Sequence, residues 1–156
     1  MTDNEIIEEA IRLVEEGVSV TLPVNGRSML PFIIGGRESV ILQQPPKQGE
    51  TRQGAPQLKL GDVVLAWVEG NRYVVHRVIR IDGDRVTLMG DGNLCGRETC
   101  GMDGVLAKVT HVVRPGGKRV AFETARMRMA ARFWVSLLPF RRILLKLYRV
   151  CHRIGN

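Results

Sequence analysis

The chain has 156 residues, 44% hydrophobic, 25% charged and 5% aromatic. That is enough for one buried core, too little for two ordinary catalytic domains, too apolar for disorder throughout, and poor in aromatics for a base-stacking surface. The formal charge of +7 is a weak argument for nucleic acid because of where it lies: residues 124–156 carry eight Arg and Lys and no acid, while the rest holds 15 basic and 16 acidic side chains.

The first segment, residues 1–17, places Ile6, Ile7, Ala10, Ile11, Leu13 and Val14 at near-helical spacing among glutamates, and Gly17 supplies a stop. It predicts a short amphipathic helix. It has neither the basic start nor the continuous apolar core of a secretory signal, so export by that route is not expected. From Val18 the pattern changes to short β-branched runs: VSVTLPV, SVILQQ, DVVLAWV, RYVVHRVIRI, RVTLMG and VLAKVTHVVR. Turn signals such as Gly35-Gly36, Gly70-Asn71 and Asp82-Gly83-Asp84 separate them. Six or more short strands with tight turns predict a mainly β domain over 18–122, a sandwich or partly open barrel. Within it, residues 43–57 are polar and rich in Pro and Gly, and read as a long exposed loop.

Residues 123–156 predict a basic amphipathic helical region that Pro139 breaks or kinks. Its apolar stretch, 133–140, is far shorter than the roughly 20 residues of a membrane span. Cations beside Trp, Phe and Leu suit a helix lying on an anionic membrane surface, and equally a helix packed on the domain or on a partner. Nucleic acid is disfavoured. The expected location is the cytoplasm, at most peripheral on the inner face of the cell membrane. Cys95, Cys100 and Cys151 form no regular framework and read as free thiols. With no second cysteine pair or nearby His to complete four ligands, neither a metal nor another cofactor is expected.

Three short motifs could carry chemistry. Gly26-Arg27-Ser28-Met29-Leu30-Pro31 follows a strand and presents a serine hydroxyl on a turn. His76 lies on the alternating strand Tyr73-Val74-Val75-His76-Arg77-Val78-Ile79. Serine needs a positioned base to become a nucleophile at neutral pH, and histidine titrates in that range. Met89-Gly90-Asp91-Gly92-Asn93 runs from a strand into a turn, where Asp91 could orient the imidazole or brace the turn. Singly, each has an ordinary structural reading: a turn serine, a packed strand histidine, an Asp-Gly turn.

In order, the boxes GxSMxP at 26–31, GDVV at 61–64, VVHRVI at 74–79, GDGN at 90–93 and VLAKV at 105–109 resemble the signal peptidase and LexA-type serine peptidase superfamily over about residues 18–113. The resemblance implies a partly open barrel of that catalytic-domain type, with Ser28 as nucleophile and His76 as base. Bacterial signal peptidases and LexA-like proteins place a lysine where this chain has His76, and endoplasmic-reticulum and archaeal-type signal peptidases place a histidine. Gly26 stands where many signal peptidases carry a serine that helps hold the oxyanion, so the nucleophile turn, Gly26, Ser28 and Met29, would rely on backbone N–H groups, including that of Ser28. Asp91 is the matched third member, Glu98 is the alternative to it, and Asp103 is a remoter one. A short acidic helix stands in place of the family's transmembrane anchor. The 27 residues before Ser28 are too few for a DNA-binding domain and a cleavable linker, which disfavours a self-cleaving repressor.

The function expected from this resemblance is that of a serine endopeptidase acting on a peptide or protein precursor. That substrate would lie extended along a strand edge and carry small side chains near the cut. The alternative is a non-catalytic peptide- or membrane-binding module derived from the same fold.

Overall fold

The computed structural model describes residues 2–45, 58–93 and 96–153. Helix α1 (Asp3–Glu15) opens on a reciprocal cap, in which the Thr2 N–H donates to Glu5 and the Glu5 N–H donates to the Thr2 hydroxyl. Gly17, at φ +87°, ends it. Eight strands follow among the described residues: β1 (Val20–Pro23), β2 (Ser39–Gln43), β3 (Val63–Val68), β4 (Arg72–Asp82), β5 (Arg85–Met89), β6 (Glu98–Gly101), β7 (Val105–Val113) and β8 (Arg119–Ala121). The described part of the expected 43–57 loop begins at Gln43, the last residue of β2, and residues 46–57 lie outside the described residues.

The strands form one antiparallel sheet in the order β1-β2-β7-β3-β4-β5-β6, curled into a half-barrel. Strand β7 is the hub: it pairs with β2 along one edge, while β3 takes the first half of its other edge and β8 the last three residues. Extra residues at Leu106 and Thr110 of β7 and at Ile79 of β4 shift the register there and provide bends that curl the sheet.

The two faces of the sheet bury separate cores, and β3 contributes to both. Val63 and Leu65 join Val14 of α1, Leu22, Met29, Ile33, Val40 and Val109. Val64, Ala66 and Val68 join Val78, Val86, Leu88 and Val105. Burial on both faces explains why β3 reads as a continuous apolar run rather than an alternation.

After Thr124, which caps it, α2 (Ala125–Ser136) runs into a tight turn at Leu138–Phe140 around Pro139, and α3 (Arg141–Arg153) follows. These helices are not a free tail. Ala131, Arg141 and Leu145 are buried, and Trp134 meets Phe32 edge-on. Among the described residues no helix is long and apolar enough to cross a membrane.

Candidate active site

The serine turn is fixed from both ends. Gly26 takes φ +90°, and the chain returns so closely at Gly35 that a Cβ there would lie 2.0 Å from the Gly26 carbonyl oxygen. Beyond Ser28, the side chains of Met29, Leu30 and Ile33 are buried, and the Ile33 N–H donates to the Met29 carbonyl at 3.0 Å. The half-buried Ser28 is therefore followed directly by the anchor that holds its turn.

The Gly90–Asn93 turn docks on that serine turn, backbone to backbone. The Gly92 N–H donates to the Ser28 carbonyl at 2.6 Å. A Cβ on Gly90 would lie 2.4 Å from the same carbonyl oxygen, and one on Gly92 would lie 2.3 Å from that of Arg27. Both glycines are thus required by close approach rather than by turn preference alone. The Asn93 side-chain amide and the Ser28 Cβ lie 2.9 and 3.0 Å from the same point beside Gly90.

Alternation along β4 sends His76 and Arg77 to opposite faces. Arg77 is 2% exposed and grips Asp91, 1% exposed, through both carboxylate oxygens at 2.8 and 2.6 Å. It also donates to the Gly61 carbonyl at 2.7 Å, and its guanidinium lies 4.9 Å from the Phe32 ring centre. Behind the same turn, the Trp134 indole N–H donates to the Asp91 carbonyl at 2.9 Å, and Arg141 donates to the Asn93 carbonyl at 3.3 Å.

His76 pairs with Val64 across β3. Extending the β4–β5 ladder one step beyond Arg77 and Met89 puts Gly90 beside it, and Gly90 is where Ser28 packs. Its Nδ1 meets the carboxylate of Glu98, whose other oxygen takes the Arg72 guanidinium. With Nδ1 committed as donor, the lone pair lies on Nε2. Burial holds the imidazole's pKa below its ordinary value and outweighs the opposite pull of the Glu98 carboxylate, so the ring is neutral at physiological pH.

Ser28, His76 and Glu98 line one open cleft of about 620 Å³. Leu22, Leu65 and Val75 form part of its apolar wall, Ile6 and Ile7 of α1 close another side, and Asn93 and Arg72 add polar groups. Among the described residues no hydrogen bond joins the Ser28 hydroxyl to His76. The Ser28 N–H likewise has no intramolecular acceptor among them.

The three sequence motifs therefore converge, but Asp91 does not reach the imidazole as its orienting acid. Both of its oxygens serve Arg77, and it braces the turn under the serine. Glu98 is the carboxylate on the histidine. Asp103 lies in the turn Met102–Gly104 and lines a separate cavity of about 530 Å³. The buried amine of Lys108 is tied to Glu123 at 2.6 Å and Asp62 at 3.4 Å and does not line the cleft. Cys100 is buried and Cys151 exposed, both as free thiols, and Cys95 lies outside the described residues.

Sequence reading missed Arg72 and Asn93. Asn93 was visible in its box, but nothing marked its amide as lying beside the serine turn at Gly90. Arg72 opens β4 four residues before His76 on the same strand face, a spacing that carries no signal unless the position of Glu98 is known. Comparison with protein-family models and with curated proteins finds no match to this chain.

Proposed function

We propose that this protein is a serine endopeptidase in which Ser28, His76 and Glu98 act together on an extended peptide. The observation that carries the reading is the shared cleft, lined by Ser28 and His76 together, while a carboxylate holds the imidazole Nδ1 and leaves Nε2 as the basic nitrogen. The resemblance of the ordered boxes to histidine-type signal peptidases supports it, and so does the implied partly open barrel of that superfamily, with which the curled sheet is compatible.

In the proposed reaction Nε2 takes the Ser28 proton as Oγ attacks the scissile carbonyl. Glu98 stabilises the resulting imidazolium. The tetrahedral oxyanion lies against the Ser28 N–H, with the Asn93 amide as a second donor. The imidazolium protonates the departing amine, and water then hydrolyses the acyl-enzyme by the same base. The hydroxyl–imidazole hydrogen bond closes once substrate expels water from the cleft, as apo geometry is commonly loose at this point. The edge of β1, unpaired among the described residues and leading into the serine turn, offers a peptide backbone a strand to pair with. The resemblance adds small side chains beside the cut.

The second reading is a non-catalytic peptide-binding module, favoured by the missing Ser28–His76 hydrogen bond. A serine-directed fluorophosphonate probe separates the two. Covalent labelling of the intact chain, lost in Ser28→Ala and His76→Ala, is expected for the peptidase. A chain that binds peptides but takes no label, or one that labels equally as Ser28→Ala, supports the module.

A further inference from the structure

We propose that α2 and α3 form a docking surface for an anionic lipid bilayer, through an outward apolar stripe and the cations beside it. This inference is independent of whether Ser28 is a nucleophile.

Helix α3 has two apolar faces. Leu144, Leu145 and Tyr148, with Arg141, turn toward the protein. Ile143, Leu147 and Val150 stand at i, i+4 and i+7 on the opposite side, the first two 62% and 57% exposed. An amphipathic helix that had finished its work by packing on the domain would carry polar residues there. Phe140 in the preceding turn, and Met129 and Phe133 at i and i+4 on α2, add further exposed apolar side chains. Phe133 is 66% exposed, although its neighbour Trp134 is half-buried against the body.

The cations are ordered as well. Arg142, Lys146 and Arg149 repeat the i, i+4, i+7 spacing one residue ahead of the apolar stripe, so a basic row runs alongside it, and all three are exposed. Arg126, Arg128 and Arg132 are exposed on α2. No acidic side chain occurs anywhere from residue 124 onward. An anionic bilayer satisfies both rows at once, since acyl chains cover the stripe and headgroups meet the cations.

Other occupants satisfy only one row. A nucleic-acid backbone would neutralise the arginines and leave Ile143 and Leu147 in water. The acidic face of α1 on a second copy, Glu8, Glu9 and Glu15 with Arg12, would do the same, because its exposed positions there are charged.

The test is co-sedimentation of the full chain with phosphatidylcholine vesicles and with vesicles that also contain phosphatidylglycerol, at low and high salt. Binding is expected only to the anionic vesicles, weakening as salt rises. Arg142→Gln/Lys146→Gln/Arg149→Gln should bind on the order of 100-fold more weakly, roughly fivefold per cation removed. Ile143→Ser/Leu147→Ser should also lose binding. Both variants change outward side chains, so their melting should match the parent and exclude misfolding as the cause. Equal binding to both vesicle types, binding to neither, or full binding by either variant overturns the proposal. So does a chain that ignores vesicles but binds duplex DNA regardless of Ile143 and Leu147, or one that forms a dimer which the Ile143→Ser/Leu147→Ser change dissolves.

Discussion

In the proposed peptidase Glu98 holds the imidazole while Asp91 braces the turn beneath Ser28, and Asp91→Asn against Glu98→Gln tests that division. In Asp91→Asn the buried Arg77 keeps its charge but loses its counter-ion, retaining the Gly61 carbonyl and an amide in place of two charge-assisted hydrogen bonds. Breaking a buried pair in this way costs about 3–5 kcal/mol. At roughly 2–4 °C of melting temperature per kcal/mol for a chain of this size, the transition should fall by on the order of 10 °C. Glu98→Gln leaves a neutral histidine and an exposed Arg72 as neighbours, so its melting should stay within about 2 °C of the parent. Fluorophosphonate labelling should respond in the opposite order. Glu98→Gln loses the anion that stabilises the imidazolium, and the labelling rate should drop on the order of 10²–10⁴-fold. Asp91→Asn should keep most of its rate at a temperature where it remains folded. Calorimetry and labelling kinetics on the two variants are sufficient. The assignment is refuted if Asp91→Asn melts with the parent, or if Glu98→Gln unfolds early while its folded fraction labels normally. A control sharpens the first half: Arg77→Met/Asp91→Leu, which removes both charges, should be less destabilised than either single change.

Other consequences follow from the same geometry. Because burial depresses the His76 pKa, labelling should be flat through neutrality and fall only below the ordinary histidine value of about 6.5. In Glu98→Gln the acid limb should move lower still, since the lost carboxylate is what raises that pKa, and NMR titration of the imidazole reads both shifts. The stability sign agrees: a folded pKa below the unfolded one means the unfolded chain binds the proton first, so His76 subtracts stability as pH falls through about 6.5 toward the folded value. Gly90→Ala sets a methyl against the Ser28 carbonyl, and should cost about 1–3 kcal/mol by chemical denaturation while abolishing labelling. Normal labelling of Gly90→Ala would mean the two turns are not in contact.

The strands legible in the sequence were those with β-branched runs, and all six of those runs contain strands. Two were not legible. Strand β8, Arg119–Ala121, has three residues and exists by pairing with the end of β7. Strand β6 reads Glu-Thr-Cys-Gly, without alternation or bulk, and forms because the edge of β5 offers it a ladder. That omission had a chemical consequence, because β6 carries Glu98. With no strand there, Glu98 was only a substitute acid soon after a turn. Once β6 pairs with β5, Glu98 stands opposite Leu88, and Leu88 opposite Val78, which shares a face with His76. The acid that reaches the imidazole was therefore fixed by register, which composition does not reveal. Asp91 stayed open between orienting the imidazole and bracing the turn for the complementary reason: its box identifies the turn, while its partner is decided by Arg77, the neighbour of the histidine.

The order of the boxes has a physical account in these contacts. In the proposed reaction Ser28 on its turn and His76 on its strand must stay in register, and the Gly90–Asn93 turn is the rigid joint between them. Its glycines admit the backbone of the serine turn, while its Asp91 is clamped by the residue after His76. Strand alternation makes this economical: one peptide step on β4 sends the His76 imidazole and the Arg77 clamp to opposite faces of the strand. Gly61 belongs to the same unit, since its carbonyl accepts from the third guanidinium nitrogen of Arg77 and its N–H donates to the Val78 carbonyl at 2.8 Å. Four of the five boxes are thus parts of one hydrogen-bonded unit around Arg77, and the outer side of that unit is where Trp134 and Arg141 attach the C-terminal helices. A force on α2 or α3 is consequently applied to the turn beneath Ser28, and any surface that holds those helices also holds the cleft.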